Sequence, residues 1–207
     1  FFSLDLGVFG VEERSAADDT YMYGAQVTIS PEVSENIGLT LGASYFLFDN
    51  LQGFAALYDD NLFGNTGITM TDLEGVESEV FASEYALVEG FVGVDLGVID
   101  LFADYVVNTD AISSQDTGYQ VGAKFQATED LKLGYSWRNL EADAVLGTWA
   151  DSDFAGGGTD SEGHKITAEY TVAKNVSTAL SVFVNELGLE GESTDYNRVQ
   201  LDLKAKF

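Results

Sequence analysis

A single histidine, His164, stands four residues after Asp160 and two after Glu162, and any acid/base couple in this chain would be built there. The arrangement is thin. No Gly-x-Ser-x-Gly elbow accompanies it, no second carboxylate pair shares the work, and the chain has no cysteine to act as a nucleophile. A histidine beside Gly163 reads more simply as a rim residue, so no enzyme and no cofactor are expected. Asp151, Ser152 and Asp153 open like a calcium loop, but the rest of that spacing is missing. No defined metal site is assigned, although divalent cations are expected to bridge clustered carboxylates elsewhere.

The more telling charges alternate with apolar residues. Lys124, Lys132, Arg138 and Lys165 fall on the polar phase of three successive alternating segments, and Arg198, Lys204 and Lys206 on that of the last. Glu89, Asp100 and Asp104 fall on the polar phase of the two preceding segments. Opposed acidic and basic walls would set up a transverse field that orders water and favours polar solutes. In a narrow enclosure the same residues would pair and seal it, and the pattern alone leaves both outcomes open.

These side chains need strands to position them. Period-two alternation recurs at about 2–10, 20–30, 38–48, 84–95, 98–107, 117–127, 131–139, 163–172, 176–187 and 196–207. Most of these segments approach the roughly 9–11 residues that a tilted strand needs to cross a bilayer. Short turns (31–37, 96–97, 128–130, 173–175) alternate with long loops (11–19, 49–83, 108–116, 140–162, 188–195). That rhythm marks a transmembrane antiparallel up-and-down β-barrel with its long loops outside the cell. The expected fold is therefore all-β, one barrel domain over 1–207 with about ten strands visible.

Aromatic residues test this independently, because amphipathic rings collect at the two membrane interfaces. Tyr21, Tyr23, Tyr45, Tyr105, Tyr119, Tyr135 and Trp137 lie on the outward phase toward one rim, and Phe2, Phe125, Tyr170 and Phe207 toward the other. Between them the outward positions are aliphatic or small. A soluble sandwich or lipocalin-like barrel would also alternate. Its apolar phase would face inward, however, and here the opposite phase is rich in Gln, Lys, Glu and Arg. No run approaches the roughly 20 apolar residues of a spanning helix.

The formal charge of -26 repels phosphate backbones and excludes a nucleic-acid partner. Most acidic residues fall in the long loops, among them Glu12, Asp49, Glu84, Asp110, Glu141, Asp143, Asp151, Asp153 and Glu190, against one basic residue, Arg14. A negative mouth would concentrate cations, since charge at a low-dielectric entrance focuses the field. Acidic loops also simply keep a surface solvated, and the two readings stand close to even. Loop 49–83 carries an apolar patch (Leu51, Phe54, Leu57, Leu62, Phe63) that needs cover, either inside the barrel as a constriction or on a rim or neighbouring subunit. About eight to ten strands give a filled interior and about 16–18 an open channel, so strand number decides what passes. The start within an alternating run, at Phe2, Leu4 and Leu6, leads us to expect residues upstream.

The ending Asp195-Tyr196-Asn197-Arg198-Val199-Gln200-Leu201-Asp202-Leu203-Lys204-Ala205-Lys206-Phe207 resembles the last strand of Gram-negative outer-membrane porins, particularly the putative porin family. The resemblance implies that Val199, Leu201, Leu203, Ala205 and Phe207 carry the signal read by the barrel-assembly machinery. It also implies an outer-membrane location, contact with membrane lipid and lipopolysaccharide, and a homotrimer of larger barrels, of which 207 residues look like a C-terminal portion. Passive diffusion of small polar or ionic solutes follows, with Glu89, Asp100, Asp104, Lys124, Lys132, Arg138, Lys165 and Arg198 lining the pore. A closed adhesive barrel that binds partners through its loops is the competing expectation.

Overall fold

The computed structural model describes residues 1–34, 37–59, 61–71 and 75–206. Thirteen strands follow one another: β1 Phe2–Glu12, β2 Thr20–Ile29, β3 Glu32–Ser34, β4 Ile37–Phe48, β5 Gly67–Thr71, β6 Glu77–Phe81, β7 Tyr85–Asp95, β8 Ile99–Asn108, β9 Thr117–Gln126, β10 Leu131–Leu140, β11 Ser161–Ala173, β12 Val176–Leu187 and β13 Thr194–Ala205. The main sheet runs β1-β2-β4-β7-β8-β9-β10-β11-β12-β13, with β3 paired to β4 beside the path. Every pairing in it is antiparallel, so the expected all-β up-and-down class is what is observed. The ten expected segments are the ten strands of this path. Among the described residues β1 and β13 are not paired with each other.

Alternation explains the faces. Leu131, Leu133, Tyr135 and Trp137 of β10 share a face with Phe125, Ala123 and Val121 of β9, and with Ala168 and Ile166 of β11. This face has no cover: Tyr105, Ile166 and Leu201 are 50%, 50% and 75% exposed. An exposed apolar surface spanning a whole sheet is untenable in water and natural in lipid. No helix among the described residues is long and apolar enough to cross a membrane.

The core lies at one end of the sheet, on its polar face, beneath the long loops. Val11, Phe48 and Leu87 at the ends of β1, β4 and β7 pack with Leu51, Leu57, Leu62, Phe81, Tyr85 and Leu146. The apolar patch of loop 49–83 thus finds its cover on the polar face. The loop is also more ordered than its composition suggests. It contains the β5–β6 hairpin, paired from Gly67–Phe81 to Thr71–Glu77, and a short 3-10 turn at Leu57–Asp59.

Inward phenylalanines lie across glycines on the neighbouring strand, Phe91 opposite Gly42 and Phe102 opposite Gly122. Glycine is required at 122, because a Cβ there would come within 2.3 Å of the Phe102 ring and 2.7 Å of the Tyr135 carbonyl oxygen. The ring can swing aside but the β10 backbone cannot. Gly122→Ala is expected to destabilise the sheet by about 1–3 kcal/mol, the usual cost of overpacking. Urea unfolding in detergent micelles measures it, and an unchanged midpoint would contradict this packing.

Candidate functional site

The register places most charged residues of β7 to β13 on one face, while Glu162, Glu186 and Asp195 share the other with His164. Asp104 of β8 is opposite Gln120 of β9, which is opposite Arg138 of β10. One row lower, Phe102, Gly122, Ser136, Lys165, Phe183 and Arg198 follow one another across six strands. Next come Asp100, Lys124 and Gly134, and then Gln126, Lys132 and Glu169. Glu89 is opposite Ser44 of β4 and Val106 of β8. All eight charged residues expected on this face are therefore brought to it.

The acidic and basic walls are not separate, which corrects the simple picture of opposition. Lys132 reaches over β9 to Asp100 at 3.3 Å, so the seam between the walls is bridged at its lower end. Lys165 pairs with Asp151 at 3.9 Å and Arg198 with Asp153 at 2.9 Å. Both carboxylates belong to the β10–β11 loop, which folds back over the face as a strap. Phe154 continues it, stacking under the Arg138 guanidinium at 3.8 Å and packing with Ala155 against Phe183. Arg138 Nε and Nη2 are thereby buried without hydrogen-bond partners among the described residues.

The strap and loop 49–83 hold each other. Asn65 donates to the carbonyls of Ala142 and Val145, both at 2.7 Å, and accepts from the Gly147 N–H at 2.7 Å. The Thr159 N–H donates to the Phe63 carbonyl at 2.8 Å. Beneath them Asp143 is fully buried. Its Oδ1 accepts from the Thr66 N–H at 3.0 Å and the Tyr85 hydroxyl at 3.1 Å, and its Oδ2 accepts from Ser113 at 2.8 Å. Three loops are thus tied to one carboxylate. Burying a carboxylate is costly unless hydrogen-bond donors replace its lost water, and here three donors do so.

This changes the reading of the acidic loops, because several carboxylates expected at a solvated mouth are engaged in structure. Besides Asp143, Asp151 and Asp153, Glu12 pairs with Arg14 at 2.8 Å and accepts from the Tyr58 N–H. Asp49 accepts from the Tyr21 N–H and Glu141 from Thr117. Asp60, Asp72 and Glu74 lie outside the described residues. The first part of the calcium-like run is an Asx turn, Asp153 N–H to Asp151 Oδ1, whose carboxylates face lysine and arginine. His164 is on the apolar face, its Nδ1 2.9 Å from the Tyr135 hydroxyl and its ring stacked on Tyr135, not coupled to Asp160 or Glu162. Val199, Leu201, Leu203 and Ala205 are exposed on β13, and Phe207 lies outside the described residues.

An antiparallel meander with an apolar face turned outward and a charged face beneath folded-in loops is the wall of a membrane β-barrel. The family model for putative porins matches residues 74–207, and the chain belongs to that family. Two solved structures are similar over its whole length, both mutants of Rh. blastica porin. One carries five substitutions, with 12% identity, 80% of that chain covered and a TM-score of 0.43. The other carries two, with 11% identity, 100% covered and a TM-score of 0.27. No curated protein matches the chain.

Proposed function

We propose that this porin forms part of a non-enzymatic outer-membrane channel for passive diffusion of small polar or ionic solutes, with a preference for cations. The observation that carries the reading is the division of faces. Aliphatic residues between aromatic belts cover one side, while Glu89, Asp104, Lys124, Arg138 and their neighbours occupy the other as the lumen wall. On this reading the long loops are extracellular and the strap with loop 49–83 forms the constriction. The terminal strand addresses the chain to the barrel-assembly machinery, and lipopolysaccharide meets the outer aromatic belt. Assembly as a homotrimer belongs to the same proposal.

Cation preference follows from the charge of -26, which the few ion pairs of the loops leave largely uncompensated. Reversal potentials in planar bilayers under a KCl gradient are expected to show K⁺ favoured over Cl⁻ at 0.1 M. The preference should fade at 1 M, where the screening length falls from about 10 to about 3 Å. Anion preference, or selectivity indifferent to salt, would refute it. The buried loop cap supports a second reading, a closed barrel that binds partners through its loops. Absence of any conductance from correctly folded protein would favour it.

A further inference from the structure

We propose that the polar face carries a binding site for a small dicarboxylate between Lys124 and Lys165, and that Asp151 of the strap is its tethered competitor. The site is a concavity of about 300 Å³ across β8 to β11, lined by Phe102, Gln120, Lys124, Ser136, Lys165 and Thr167. Small-molecule sites run from about 300 to 1,000 Å³, so the occupant is a small solute. Register sets the two ammonium groups apart. Lys124 stands opposite Gly134 on one row, and Lys165 opposite Ser136 on the next, approaching β10 from its two sides. Gly134 leaves the floor between them open, since a Cβ there would fall 2.4 Å from Thr167 Oγ1.

The polar groups of this concavity are unsatisfied by protein. Lys124 makes no ion pair among the described residues, its ammonium standing 5.8 Å from the Phe102 ring centroid. The Lys165 ammonium lies 5.0 Å from the Phe183 ring centroid, and its one ion-pair partner among the described residues is Asp151 at 3.9 Å, beyond the reach of a direct N–H···O bond. Gln120, Ser136 and Thr167 make no side-chain hydrogen bond among the described residues. Two cations, two hydroxyls and an amide therefore line one concavity, with Asp151 reaching it from the strap and Asp100, opposite Lys124 in register, ion-paired to Lys132 instead. A solute with a carboxylate at each end supplies both missing charges, and its carbon chain suits the apolar Phe102 floor better than a compact inorganic anion would.

The site stands on these contacts, while its use in passage rests on the channel reading, so binding is the property to measure. The probe is succinate, titrated calorimetrically into the full chain folded in detergent micelles, at ionic strength held constant with NaCl. Wild type is expected to bind. Lys124→Gln and Lys165→Gln should each weaken binding about tenfold, the loss of one charge-assisted contact. Lys165→Arg should retain it, and Asp151→Asn should tighten it about threefold, the scale of an exposed ion pair. Circular dichroism confirms strand content in each variant. Binding unaffected by either lysine substitution, absence of binding in Asp151→Asn, or identical affinity of wild type and Asp151→Asn would overturn the proposal. None of these outcomes depends on conductance, so failure of this site and failure of the channel reading are distinguishable.

Discussion

Asp143→Ala is expected to release the loop cap while leaving the strands in place. The substitution strips the partner from the Thr66 N–H, the Tyr85 hydroxyl and the Ser113 hydroxyl at once. Each buried donor left unsatisfied costs about 1–3 kcal/mol, and because the three relax together a combined loss of about 3–5 kcal/mol is expected. Two of the bonds use Oδ1, and the Ser113 hydroxyl can turn to accept from an amide. Asp143→Asn should therefore lose much less. Hydrogen exchange and limited proteolysis across 49–83 and 141–160 read the difference directly, with strand amides of β8 to β12 as the internal control. Equal protection in Asp143→Ala and wild type would show that the carboxylate is not the tie.

The second large effect concerns the two faces of one strand. Ile166→Arg is expected to abolish stable insertion, whereas Thr167→Arg, one residue along β11, should be tolerated. Ile166 lies on the uncovered apolar face beside Tyr135, and Thr167 on the polar face beside Gly134. Arginine on the lipid face near mid-membrane costs about 2–4 kcal/mol, and on the lumen face it remains solvated. Heat-modifiable mobility on gels and refolding yield into liposomes measure both variants. If the two behave alike, the faces have been assigned wrongly or the sheet does not meet lipid.

The strands and their faces were readable because each repeats one physical rule about ten times, apolar against polar at period two. The charged wall followed from the same parity, and all eight of its expected members share a face. What escaped was long-range. Asp143 looks like any loop carboxylate until Thr66, Tyr85 and Ser113 are brought to it from three other segments. Nothing local to Asp151 or Asp153 indicates that Lys165 and Arg198 lie beneath them. The β5–β6 hairpin was missed because each strand has only five residues, and its alternation of Ile68 and Met70 with Thr69 and Thr71 is too short to stand out from a loop. Asn65 offered a faint signal, an amide within Gly64-Asn65-Thr66-Gly67 where the chain reverses, but its partners Ala142, Val145 and Gly147 could not be named from sequence.

The Asn65 clasp also bears on how the protein matures. Its bonds to Ala142 and Val145 join residues 77 and 80 positions apart, and Thr159 closes on Phe63 across 96. Contacts so distant along the chain form only after the intervening hairpins are in register, because the entropy of closing that loop has to be met first. The clasp therefore closes late and only over a correctly ordered sheet. A chain with one hairpin slipped by a residue would turn the wrong side chains toward it. Such a chain would leave Leu51, Leu57 and Leu62 exposed, so an open apolar patch marks a misregistered sheet and a covered one marks a finished sheet.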